Sequence, residues 1–138
     1  MRYLLDTNIC IALIRQRSPH LLARLQTFAL DDLGISTITV AELAYGAAKS
    51  QRPEQNRQAL DQFLLPFALL PFDDAAAATY GTIRSHLERQ GTPIGPLDTL
   101  IAAQALALEI PLVTNNTAEF ARVPDLRVED WLHESPQL

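Results

Sequence analysis

The stretch from Leu100 to Leu108, LIAAQALAL, in a helix that follows the turn residues Gly95 and Pro96, is apolar on nearly every side. A helix without a solvent face has to be packed between other elements. Its surroundings narrow the options further. Short apolar runs at Tyr3–Leu5, Leu33–Ser36, Phe67–Leu70, Leu112–Val113 and Leu126–Val128 read as strands. Between them, helices are expected at Ile9–Arg15, Pro19–Ala29, Thr39–Lys49, Pro53–Leu65 and Asp73–Gln90, the last ended by Gly91. A short helix should follow Val113. Strands alternating with helices are joined by right-handed crossovers, which makes the sheet parallel and covers both of its faces. The expected fold is therefore α/β, a three-layer α/β/α sandwich around a central parallel sheet. No repeat, low-complexity tract or linker divides the 138 residues, so residues 1–138 are expected to form one domain.

Charge bounds the partners. The formal net charge is −5 and the isoelectric point about 5.0, which argues against a broad basic face for gripping nucleic acid. A local site where a cation offsets acidic side chains is still compatible with it. The eleven basic residues are Lys49 and otherwise arginines. A lone cysteine, Cys10, has no partner for an internal disulfide and no companions for a zinc site. Asp6 and Asn8 interrupt the first apolar run, so a secretory signal is not expected, and no apolar segment is long enough to span a bilayer. The expected location is the cytoplasm, with no membrane partner.

Four acidic positions each have a local explanation. Asp6 stops the first strand and can cap the next helix, as Thr7 or Asn8 can. Thr39 and Glu42 have the spacing of a capping box. Asp98 falls in the first turn of the buried helix, where a carboxylate suits the helix dipole. Asn116 and Glu119 have the spacing to cap the short helix after Val113. Taken together they carry more. In a parallel sheet, ligands bind beyond the carboxyl ends of the strands, and Asp6, Glu42 and Asp98 come from distant segments that meet at that rim. Carboxylates gathered there repel one another, and a hard divalent cation such as Mg²⁺ or Mn²⁺ relieves the repulsion through one or two of them plus water. Spacing alone supports a metal site and leaves the reaction open.

Four motifs then carry a resemblance. LLDTN near the start, IS-x-IT-x-AEL-x-YG at 35–46, PIGPLDTLIAA at 93–103 and LVTNNTAEF at 112–120 resemble the PIN-domain nucleases, and more narrowly the VapC toxins of bacterial toxin–antitoxin pairs. The resemblance runs in order along essentially the whole chain, to Leu126-Arg127-Val128 and Trp131. It implies catalytic carboxylates at Asp6, Glu42 and Asp98, with Asp6 and Asp98 holding Mg²⁺ or Mn²⁺; Glu119, one helical turn after Asn116, is read as a fourth catalytic carboxylate that supplies the charge missing there. Thr7, Asn8, Thr114 and Asn116 would support them. It implies an endoribonuclease acting on structured RNA, often tRNA near its anticodon, with initiator tRNA favoured. It also implies a homodimer and a larger complex with a cognate antitoxin whose C-terminal segment fills the acidic groove, operator DNA being reached only through that antitoxin. One position departs from the pattern: many PIN domains carry a fourth aspartate where this chain has Asn116. An amide accepts hydrogen bonds but is no base, so the number of metals is open.

Two rivals remain. An aspartyl phosphatase or phospho-receiver also places an aspartate after its first strand, but those chemistries want a late lysine, and Lys49 lies early; Asn8 also breaks a D-x-D pair. A catalytically weak module whose acidic groove binds peptide or RNA is the other, and Asn116 keeps it in play. Elsewhere, His20, His86 and His133 are scattered and are read as surface or packing residues. Arg84 and Arg89 sit on the helix ahead of the Asp98 motif, either as solvated face residues or as contacts to RNA phosphates. Phe67 and Phe72 are expected in the core.

Overall fold

Leu4 and Leu5 lie side by side in the first strand and are both fully buried, which requires cover on both faces of the sheet. The computed structural model describes residues 2–132. Its strands are β1 (Tyr3–Leu5), β2 (Leu33–Ser36), β3 (Ala68–Leu70), β4 (Leu112–Val113) and β5 (Val128–Glu129). All pair in parallel, in the order β3-β2-β1-β4-β5. The helices are α1 (Thr7–Ile14), α2 (Pro19–Leu25), α3 (Thr37–Ala48), α4 (Pro53–Leu64), α5 (Asp74–Arg89), α6 (Pro96–Leu108) and α7 (Thr117–Phe120), with a 3₁₀ turn at Leu30–Asp32.

Alternation along the strands sorts the core into two layers. Leu5, Ile35 and Val113 face one side, where they meet Ile9, Leu13, Leu21, Leu60 and Leu64 from α1, α2 and α4. Leu4 and Leu112 face the other, against Ile83 and Leu87 of α5 and Ile101, Ala102, Ala103 and Ala105 of α6. The three-layer sandwich expected from the sequence is the one found. Helix α6 is buried along its middle as its composition demands, and its Gln104 amide donates to the carbonyls of Leu70 and Pro71 at 3.1 Å each, tying it to the end of β3. Among the described residues no helix is long and apolar enough to cross a membrane.

Several boundaries differ from expectation, each for a local reason. Helix α3 starts at Thr37, two residues early, because the Ser36 hydroxyl at the end of β2 accepts from the Ile38 amide at 3.0 Å and caps it. Thr39 is therefore not the cap, and the Thr39–Glu42 capping box does not form. Helix α2 stops at Leu25, which lets Phe28 turn inward. The last strand lies at Val128–Glu129 instead of Leu126–Val128, where the Thr114 amide donates to the Glu129 carbonyl. Phe67 is buried as expected, whereas Phe72 is only half-buried. His20 is exposed and His86 half-buried; His133 lies outside the described residues.

Trp131 ties the end of the described chain to its beginning. Its ring stacks on Phe28 at 5.1 Å, meets Tyr3 edge-on at 5.0 Å, and is 3% exposed. Trp131→Ala is expected to cost about 3–5 kcal/mol, seen as a lower urea midpoint at unchanged slope. Leu65→Ala, at a position 75% exposed, should stay within about 0.5 kcal/mol of the parent.

Candidate functional site

Parallel pairing sends every strand's carboxyl end to one rim, and β1 delivers Asp6 there. The residue is 3% exposed. Its Oδ1 accepts from the Ile9 amide at 2.9 Å, so it caps α1 as the sequence suggests. The buried Thr114 side chain and the Asn8 amide also hydrogen-bond the carboxylate. These bonds only partly offset the loss of water, and burial, helped by the nearby Glu42 charge, holds the Asp6 carboxyl up at about 6.

Glu42 arrives from the second turn of α3. With the capping box absent, its carboxylate is free to reach across to α1, where the Thr7 hydroxyl donates to Oε1 at 2.7 Å. The fully buried Thr39 hydroxyl stands 3.1 Å behind Thr7. Thr7 thus joins the two helices that follow β1 and β2, and fixes where Glu42 points. Asn8 is exposed and contributes through its backbone.

Asp98 sits in the first turn of α6, and Glu119 reaches the same place from α7. The Gly95 amide donates to Glu119 Oε1 at 2.8 Å, and the Asn116 side-chain amide donates to Oε2. Asn116 occupies the cap position of α7 but makes no side-chain cap bond; its amide is spent on Glu119. An aspartate at 116 would set a second negative charge against Glu119, so the departure at this position exchanges repulsion for a hydrogen bond. A methyl group on Gly95 would lie 3.5 Å from Asp98 Oδ2 and 3.8 Å from Glu119 Oε1. Glycine there leaves that side of both carboxylates open.

Desolvation is the largest influence on Asp98, followed by the charge of Glu119 and a hydrogen bond shared with it, and then by Asp6 and Glu42; together they raise its carboxyl to about 7. The four acids expected from the sequence are therefore brought into one electrostatic unit. The ion pairs among the described residues, Arg24–Glu129, Arg57–Asp61 and Arg84–Glu88, all lie elsewhere. Among the described residues no three His, Cys, Asp or Glu side chains converge closely enough to hold a metal ion unaided. That donor set fits a hard cation that takes one or two carboxylates and keeps its water, as Mg²⁺ does, and does not fit zinc. Sequence reasoning missed Gly95 and Thr39. The only signal for Gly95 was a helix start lacking a capping side chain, and the signal for Thr39 was masked by its resemblance to a cap.

Residues 3–126 match the family described as PIN domain. The chain is 44% identical over 133 residues to a tRNA(fMet)-specific endonuclease VapC of Shigella flexneri, a match covering 95% of this chain and 98% of that protein. Among solved structures, DNA-bound VapBC from Salmonella typhimurium superposes with a TM-score of 0.90 at 41% identity, over 95% of this chain and 98% of the other. VapBC2 from Rickettsia felis, bound to a fragment of promoter DNA, gives 0.86 at 40% identity, over 95% and 99%.

Both raised carboxyls hold protons in the folded chain that the unfolded chain has already released. The metal-free protein should therefore lose stability as pH rises from about 4 to about 7, and level off above that. Asp6 alone accounts for roughly 1–3 kcal/mol of the fall. Asp98→Asn should raise the melting temperature at pH 7.5 in EDTA, with a smaller gain at pH 5. Thermal melts at the two pH values check the sign.

Proposed function

Because the chain belongs to the PIN-domain family, among the VapC ribonucleases, we propose that it is a metal-dependent endoribonuclease and the toxin of a toxin–antitoxin pair. The observation that carries the reading is the collection of Asp6, Glu42, Asp98 and Glu119 at one rim from four separate segments, with the Asp6 and Asp98 carboxyls raised and, among the described residues, no basic side chain in an ion pair with any of the four. Asp6 and Asp98 would hold Mg²⁺ or Mn²⁺. When bound, such a cation neutralises charge on a phosphodiester and makes water a nucleophile at neutral pH. Glu42, aimed by Thr7, and Glu119, aimed by Asn116 and the Gly95 amide, accept hydrogen bonds from water and orient it toward the phosphate. Asp6 does double duty, since the bond that caps α1 also fixes its rotamer.

The substrate we favour is structured RNA, a tRNA cut near its anticodon and initiator tRNA first, as the names of the relatives suggest. An acidic chain selects such a molecule by shape and exposed loop bases. The partner is a cognate antitoxin, in keeping with solved relatives that are VapBC complexes; its basic or aromatic segment would lie along the acid rim. Operator DNA would be reached through the antitoxin, the toxin itself being a homodimer in the cytoplasm. A groove that only binds peptide is the second reading, favoured by the missing aspartate at 116.

Purified protein should cut initiator tRNA internally with Mn²⁺ or Mg²⁺ and not in EDTA. Asp6→Ala and Asp98→Ala should each lower cleavage by more than about a hundredfold, and Glu119→Gln by about ten- to a hundredfold. Full cleavage by both alanine variants would locate the activity elsewhere. Absence of cleavage, with antitoxin binding lost once Asp6, Glu42 and Asp98 are all made neutral, would establish the peptide-binding reading.

A further inference from the structure

The turn from Pro93 to Thr99 has two sides. One carries Gly95 and Asp98 into the carboxylate site. The other walls a cavity of about 260 Å³ between α5 and the start of α6, lined by Pro93, Ile94 and Thr99 opposite Tyr80, Arg84 and Leu87. In that cavity the Arg84 guanidinium stands at the hydroxyl edge of Tyr80, donating to the hydroxyl at 2.9 Å with its carbon 6.0 Å from the ring centroid. Its Nε donates to Glu88 Oε1, also at 2.9 Å. Tyrosine and glutamate thus hold the guanidinium plane in a set orientation and use two of its five N–H donors, which leaves donors for another acceptor. The Arg84 and Glu88 side chains are 60% and 56% exposed. An exposed i,i+4 pair of this kind is weak and is readily shared with a competing anion.

Two more arginines lie nearby, one bonded to this turn and one along α5. Arg122 donates to the Pro93 carbonyl at 3.0 Å. Arg89 lines an open hollow of about 440 Å³ along α5 that continues from Arg84. Two arginines, Arg84 and Arg122, thus flank this turn in a chain of net charge −5, and the same turn carries Asp98. An oriented guanidinium at the hydroxyl edge of a tyrosine, with apolar proline and isoleucine walls, suits an unpaired base with its phosphate. A cavity somewhat smaller than a drug-sized site suits one nucleotide unit.

Resting on the ribonuclease reading, we infer that the α5–α6 cavity is a subsite for an unpaired nucleotide next to the cleaved bond. Arg84 grips a backbone phosphate there, and the base lies against the Tyr80, Pro93 and Ile94 walls of the cavity. Arg84 is a positioning residue, since it touches RNA away from the reacting phosphate.

The test is RNA affinity in EDTA, where no cutting occurs, using a fluorescent single-stranded oligoribonucleotide over a series of salt concentrations. Arg57→Ala is the control, because Arg57 and Asp61 form the same kind of exposed i,i+4 pair on α4. Arg84→Ala should weaken binding roughly tenfold and lower the salt slope by about one, while Arg57→Ala changes neither. Arg84→Lys should keep the salt slope and recover only part of the affinity, since a lysine offers charge without the guanidinium's fixed fork of donors. Circular dichroism confirms the fold of each variant. Equal affinities for Arg84→Ala and Arg57→Ala, or no RNA binding by the parent, would overturn the inference. So would an Arg84→Ala protein that instead loses only antitoxin binding. Cleavage of tRNA by the parent with Mn²⁺, measured on the same preparation, reports on the ribonuclease reading separately. There Arg84→Ala should raise KM and leave kcat near that of the parent.

Discussion

Parallel pairing of five short strands puts every strand's carboxyl end, and the start of the helix after it, on a single rim. Everything chemical in this protein follows from that geometry. Asp6 comes off β1, Glu42 from the helix after β2, Glu119 from the helix after β4, and Asp98 from the start of the helix that precedes β4. A parallel sheet is stable only when both faces are covered, so the core that holds the rim together is split in two, with Leu5 on one side and Leu4 on the other. Rigid cover on both faces lets four carboxylates be held together against their repulsion.

The site works against the fold that carries it. Asp6 is buried with three hydrogen-bond partners and still has a raised carboxyl, because lost hydration outweighs them. Asp98 bears the larger burden, with Glu119 sharing its space. Nearby positive charge would relieve this, and the structure supplies hydrogen bonds instead: Thr7 to Glu42, Gly95 and Asn116 to Glu119. Neutral donors aim the carboxylates without cancelling their charge, so the attraction for a cation survives.

Positive charge is placed next door. Arg84 lines the cavity on the far side of the turn that carries Asp98, and Arg122 bonds the same turn at Pro93. Separating the two signs by one turn of chain keeps the arginines from neutralising the acids. Under the proposed subsite it would also give a polyanion a foothold beside a site that otherwise repels it.

The order of elements, the parallel sheet and the buried helix of LIAAQALAL were legible in the sequence, because a helix without a polar face and short strands alternating with helices leave few other folds. The candidate acids were legible as well, through motifs in register at strand ends. Element boundaries were less so: Ser36 and Thr39 are both plausible caps, and only the end of β2 decides that Ser36 does the work. That single choice turns Glu42 from a cap into a partner of Thr7, 35 residues away. Likewise the 116–119 spacing reads as a local cap, whereas the fold brings the Gly95 amide from 24 residues away to Glu119 and turns Asn116 toward it. The sequence by itself determined which residues carry charge and which segments must be buried, since these depend on composition and period. Only the tertiary structure decided which hydrogen bond each carboxylate makes, because donors distant in the chain compete with near ones and win by geometry.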